Sequence, residues 1–220
     1  MFIKRFALLL LAALSTFVGT AVAQSGPQQF AIVYVEFKPA DTKAGSELLE
    51  DLASSAFSSS GVVRFDVLQQ IDRPNYFALS ETWSSAQTFT AFQNSAATQA
   101  TLSKLVPLLQ APLDQRLGNL LTGAVNPRNL HAERRQIFVI THVDVDPQFV
   151  GQVQPLLNTF VGDSLKDGGA DTFALVSQTP TPNHFQLFEA FANQRSFDDH
   201  VSAPHTVTFR TNVDQFLGAP

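Results

Sequence analysis

The sequence predicts an α+β protein made of two tandem copies of one β-α-β-β-α unit, the second copy a strand short. Three observations predict this. Sliding the chain by 108 positions lays one half on the other without a gap: Phe30 falls on Phe138, Ile32 on Ile140, Leu48-Leu49 on Leu156-Leu157, Gly61 on Gly169, Pro74-Asn75 on Pro182-Asn183, and Phe89 on Phe197. Within each half, runs of β-branched and aromatic residues alternate with runs of helical periodicity. The stretch Leu113 to Leu121 reads as a further strand, and the second half has nothing to match it.

The first strand of each unit, Phe30 to Phe37 and Ile137 to Val145, is stopped by Pro39 or Pro147. Lys43 to Phe57 and Phe149 to Leu165 follow as helices, with Leu48, Leu49, Leu52, Ala53 and Ala56 near helical spacing, and Gly61 or Gly168-Gly169 is expected as the C-terminal cap. The second strands, Val62 to Ile71 and Thr172 to Gln178, lead through turns at Asp72 to Asn75 and Thr179 to Asn183 into third strands, Tyr76 to Trp83 and His184 to Phe191. Two short helices close each unit: Ser85 to Gln93 and Thr98 to Leu109 in the first, Asn193 to Val201 and Pro204 to Phe216 in the second. Pro204 suits a helix start, where its missing N–H is not needed. The units are thus residues 24–121 and 136–220, joined by a linker at 122–135 that holds Gly, Asn-Pro and mixed charge.

Residues 1–23 read as an export signal. Lys4 and Arg5 precede the apolar run Phe6 to Leu14, and Ala21-Val22-Ala23 supplies a small-x-small cleavage site. The run is shorter than the roughly 20 residues that span a bilayer. Cleavage after Ala23 is expected, leaving a periplasmic or secreted protein without membrane attachment. The whole chain has 14 Lys+Arg against 19 Asp+Glu, and losing Lys4 and Arg5 makes it more acidic, which argues against nucleic acid as a partner. Without cysteine there is no disulfide, thiolate metal site or cysteine nucleophile. No Gly-rich phosphate loop follows a strand, and Gly-x-Ser-x-Gly and His-Glu-x-x-His are absent, so nicotinamide, ATP, serine hydrolase and zinc protease readings have no motif behind them.

The end of the third strand and the helix after it carry the chemistry. Copy two reads Leu187-Phe188-Glu189-Ala190-Phe191, then Ser196-Phe197-Asp198-Asp199-His200-Val201-Ser202-Ala203-Pro204-His205. Copy one reads Glu81-Thr82-Trp83, with Phe92 and Ala97 in place of the two histidines. A strand ending Glu-x-Trp, a helix ending in His and a second His about five residues on resemble the antibiotic biosynthesis monooxygenase family, quinol-monooxygenase-like proteins of the dimeric α/β-barrel superfamily. The pattern is divided here, with Trp in one copy and both His in the other. The resemblance implies two ferredoxin-like units packed as an intrachain pseudo-dimer, hence a monomer. It also implies oxidation of a small aromatic or quinol-type molecule with O₂ as co-substrate and neither flavin nor metal. Because the superfamily also holds non-catalytic and haem-degrading members, a hydrophobic-ligand carrier and a haem protein stand as alternatives.

Such chemistry needs a dry pocket, a base and donors aimed at a developing oxyanion, and 20 Phe make an aromatic cavity reasonable. His200 and His205 are the candidate base or proton shuttle, against a helix-end role bonding carbonyls or Asp198. Their spacing of five is not one helical turn and argues against a metal. His142, a candidate catalytic residue, aligns with Tyr34, a candidate substrate contact, and the two share strand parity with Ile140 and Ile32. If that face lines the barrel interior, both point into the pocket, against the reading of a satisfied interior polar residue. Glu81 and Glu189 share parity with apolar neighbours, where a carboxylate must find a partner or have its pKa raised. Trp83, and Phe191 in its place, are candidate stacking surfaces or core. Asn75, like Asn183, is a turn residue or a substrate donor. His131 and His184 read as solvated.

Overall fold

Strand alternation sorts side chains onto two faces, and helices cover one of them. In the computed structural model, which describes residues 27–126 and 136–217, β1 (Gln29–Glu36) turns Ala31, Val33 and Val35 toward α1 (Thr42–Phe57), whose Leu49, Leu52, Ala53 and Ala56 meet them. The expected signal segment and residues 127–135 of the linker lie outside the described residues. β2 (Val62–Gln70), β3 (Arg73–Trp83), α2 (Ala86–Gln93), α3 (Ala96–Leu105) and β4 (Asp114–Ala124) complete copy one. Copy two repeats the order with β5 (Ile137–Asp144), α4 (Val150–Ser164), β6 (Ala170–Thr179), β7 (His184–Phe191), α5 (Gln194–Ser202) and α6 (Pro204–Val213). Each copy buries its own core under its own helices, around Phe65 and Trp83 in one and Phe173 and Phe191 in the other.

All seven strands join one antiparallel sheet in the order β2-β3-β1-β4-β6-β7-β5. β4 unites the copies: it pairs with β1 on one side and with β6 on the other, Leu117 opposite Thr179 and Ala124 opposite Phe173. The sheet curls until its two ends face, so that the Arg64 guanidinium of β2 lies 5.6 Å from the Phe138 ring of β5. Two contacts join residues 108 apart, the repeat offset: Tyr34 Oη to His142 Nε2 at 2.6 Å and Arg64 Nη1 to Thr172 Oγ1 at 3.0 Å. Positions meet their own counterparts only at a two-fold axis, so these pairs mark the pseudo-dyad. By that symmetry an eighth strand would lie between β5 and β2; among the described residues none does, and a cleft remains there.

Three local expectations are corrected. α1 and α4 end before their glycines, capped by Ser58 and Leu165 in right-handed conformation, while Gly61 and Gly169 take φ of 85° and 88° in the turn that enters the next strand. Pro74 and Asn75 belong to β3 rather than to a turn, because β2 keeps pairing as far as Gln70 opposite Arg73. β4 runs on to Ala124, into the expected linker, because β6 offers it Leu175, Ala174 and Phe173 as partners.

Candidate active site in the second copy

A cavity of about 310 Å³ lies in copy two between the sheet and α4, α5 and α6. Thr141 and Val139 of β5, Leu187 and Glu189 of β7, Phe160 of α4 and His200 of α5 form its wall. At the matching place in copy one the space is about 50 Å³. There Phe92 replaces His200, the bulkier Trp83 replaces Phe191, and the two rings stack with centroids 4.7 Å apart.

Glu189 is the one carboxylate in the wall that is buried among apolar groups. Its side chain accepts a long bond of 3.4 Å from Thr141 Oγ1, and its other oxygen lies 3.8 Å from His200 Nε2. Burial raises its pKa to about 7, the Thr141 bond working the other way. His200 is itself buried, ringed by Phe160, Phe173 and Phe191, and its Nδ1 lies 2.7 Å from Asp167 Oδ2. Burial lowers its pKa and the Asp167 bond partly restores it. A carboxylate only accepts, so Nδ1 carries the proton of the neutral ring and Nε2 turns its lone pair toward Glu189. His205 Nε2 stands 3.2 Å from the same Asp167 oxygen, an ion-pair distance without hydrogen-bond alignment. A line of exchangeable groups thus runs from the cavity through Glu189, His200 and Asp167 to His205, the last two partly exposed at 21% each. Arg210 of α6, exposed to solvent, adds a cation at the cavity wall.

Two of these residues escaped the sequence reading. Asp167 sits in the turn after α4, 33 positions from His200, and replaces Asp198 as the expected partner. One donor atom from each of Asp167, His200 and His205 lies within 4.8 Å of the others, a set able to hold a divalent ion that the spacing of the histidines alone concealed. Arg210 aligns with Leu102 of copy one, and that exchange of an apolar for a charged residue was the available signal.

The other candidates are dispersed. Glu81 is buried in copy one, where its Oε2 accepts the Trp83 indole N–H at 2.9 Å. Trp83 and Phe191 are both fully buried core rings. Asn75 Nδ2 donates to the Phe37 carbonyl and Asn183 Nδ2 to the Val145 carbonyl, each at 2.9 Å, so both tie down a strand end and line neither cavity. His142 does not join His200: its ring turns to the barrel interior to meet Tyr34, and the residue forms part of the partition, since it also borders the copy-two cavity. His184 is half-buried, 3.2 Å from Asp144, rather than free in solvent.

The burial of Glu81 has a measurable consequence. Burial lifts its pKa from 4.5 to about 7, against the Trp83 bond. The folded protein therefore holds this proton more tightly than the unfolded chain. Its contribution to stability is complete below pH 4.5 and is lost as pH rises to about 7, a change of roughly 3 kcal/mol. Glu81→Gln keeps an acceptor for the indole and cannot ionise. Urea unfolding is expected to find it close to wild type at pH 4 and more stable at pH 8.

A buried carboxylate–histidine cluster between helices and sheet, in one half of a pseudo-dimeric α/β barrel, sits in an α+β protein built by duplication. The family model for antibiotic biosynthesis monooxygenases matches residues 29–104 and again 136–212, and the chain belongs to that family as a tandem pair. A candidate monooxygenase from Fusobacterium nucleatum superposes with a TM-score of 0.80 at 15% identity, covering 88% of this chain and 89% of its own. A second from Lactobacillus acidophilus gives 0.74 at 11% identity, covering 88% and 90%. An anthrone oxidase-like protein gives 0.64 at 10% identity, covering 90% and 89%. At these identities the likeness is one of fold. No curated protein matches the sequence.

Proposed function

We propose that the copy-two cavity oxidises a small phenol- or quinol-type molecule directly with O₂, with Glu189 as base and His200, Asp167 and His205 relaying protons to solvent. The observation that carries this reading is the buried Glu189–His200 pair beside an open cavity of about 310 Å³, where copy one has Glu81 without a histidine and a space of only about 50 Å³. A carboxyl whose pKa is about 7 is half ionised at neutral pH, which suits a general base. The hydroxyl proton passes to Glu189 and leaves an electron-rich ring. The ring gives an electron to O₂, and the resulting pair joins as a peroxide on a ring carbon, protonated by the carboxyl. Loss of the remaining proton at that carbon expels hydroxide, so one oxygen stays as a carbonyl and the other leaves as water. Arg210 would offset the anionic charge of these stages, and the Phe-lined walls exclude water.

The haem alternative has no support at His142, whose two ring nitrogens are engaged by Tyr34 and Arg116. A Soret band on adding haem, lost in His200→Ala, would favour it over the oxidation proposed here. Export through residues 1–23 belongs to the same proposal, and a mature N-terminus at Gln24 would bear it out. The test of the chemistry is oxygen uptake over a hydroquinone and phenol panel, aerobic against anaerobic. Uptake with stoichiometric quinone is expected in wild type and strongly reduced uptake in His200→Ala. Thermal stabilisation by panel members without any uptake would favour the hydrophobic-ligand carrier instead.

A further inference from the structure

The space between β2 and β5 is a second cavity, of about 370 Å³, on the barrel side of the sheet. That is within the size of small-molecule sites. Leu68, Phe138 and Ile140 make its barrel-facing wall apolar, Tyr34 and Tyr76 also line it, and its remaining polar side chains are glutamine amides. No residue lining it is charged, so it suits a neutral occupant.

The protons behind Tyr34 follow by elimination. Arg116 Nη1 lies 3.2 Å from His142 Nδ1, and a guanidinium can only donate, so Nδ1 is the acceptor. The proton of the neutral imidazole is then on Nε2, which lies 2.6 Å from Tyr34 Oη and donates to it. The hydroxyl proton of Tyr34 is left unspent; among the described residues no other hydrogen bond to this hydroxyl is formed. Both groups keep the protonation this requires: burial and then the Arg116 charge lower the His142 pKa, while burial pushes Tyr34 up to about 12. The direction of the pair is a product of the duplication. A symmetric dimer would place two identical residues on the dyad, with neither preferred as donor. Here a Tyr faces a His, and Arg116 comes from β4, which has no counterpart among the described residues of copy two.

We propose that this barrel cavity binds a neutral hydrophobic carbonyl compound of one or two rings, its carbonyl oxygen accepting the Tyr34 hydroxyl proton. A carbonyl satisfies the unspent donor without bringing a proton that needs a partner of its own. The site is separate from the copy-two cavity, on the other side of the sheet, and does not depend on any oxidation there.

The matched probes are 1-tetralone and tetralin, alike in shape except for the carbonyl oxygen, titrated calorimetrically into the full-length mature protein. Wild type is expected to bind tetralone about fivefold more tightly than tetralin, the scale of one hydrogen bond. Tyr34→Phe should erase the preference and leave tetralin binding in place. Ile140→Trp, which fills the cavity, should remove both. Equal affinities in wild type, no binding of either probe, a preference that survives Tyr34→Phe, or binding intact in Ile140→Trp would each overturn the proposal. The Ile140→Trp arm decides the location by itself if the phenylalanine variant does not fold.

Discussion

Arg64→Met is expected to cost about 3–5 kcal/mol of stability, a large share of the margin of an ordinary domain. Arg64 is 2% exposed and Asp66 4%. The guanidinium bonds Asp66, donates to the Asn126 carbonyl at 3.0 Å and to Thr172 at 3.0 Å, and lies near the Phe138 and Phe188 rings. It therefore links β2 to both β6 and β5 across the pseudo-dyad, where no strand pairing closes the sheet. Methionine keeps the bulk and removes every donor, leaving the buried Asp66 without this cation. Replacing both residues, Arg64→Met with Asp66→Leu, should recover most of the loss, because the desolvated charge is then gone as well. Urea midpoints of the two variants measure this. A loss below about 1 kcal/mol in the single variant would mean that the Arg64 contacts contribute little to holding the copies together.

Glu189→Gln is expected to lower turnover of an oxidisable phenol by about 10²–10⁴-fold, the usual worth of a positioned base, with little change in fold. The amide fills the same space and keeps an acceptor for Thr141 but cannot take a proton. His200→Phe transplants the residue of copy one and should act in the same direction, because it breaks the path from Glu189 to Asp167 while preserving an aromatic ring among Phe160, Phe173 and Phe191. His205→Ala, at the partly exposed end of the path, should have a smaller effect, since water can serve there.

The fold was open to sequence reading because the chain carries its own comparison. One offset aligned two halves, and what both kept (Gly61 with Gly169, Glu81 with Glu189) could be separated from what one half lost. The strand phases were also readable within each strand, which is why Tyr34 and His142 were expected on one interior, where they meet at 2.6 Å. What could not be read was how the phase of one strand relates to its neighbour. Glu189 lies opposite Val139, and so beneath the helices, whereas His142 lies on the alternate face of β5; that relation needs the β5–β7 register. Without it, one pocket was expected where the sheet separates two. Asp167 escaped for a related reason: a turn carboxylate reads as solvated until a distant helix brings a histidine to it. Arg210 likewise resembles any exposed helical arginine until the cavity beside it is known.

The most direct measurement is the pH dependence of kcat/KM for O₂-linked quinol oxidation in wild type, Glu189→Gln and Glu81→Gln. As the proposed base, Glu189 would act in its ionised form, so the wild-type rate should rise with pH through about 7 and level off above it. Glu81→Gln should leave that rise in place and Glu189→Gln should abolish it. A profile that is flat through neutrality, or one abolished by the copy-one change and untouched by the copy-two change, would contradict a base seated in the second copy.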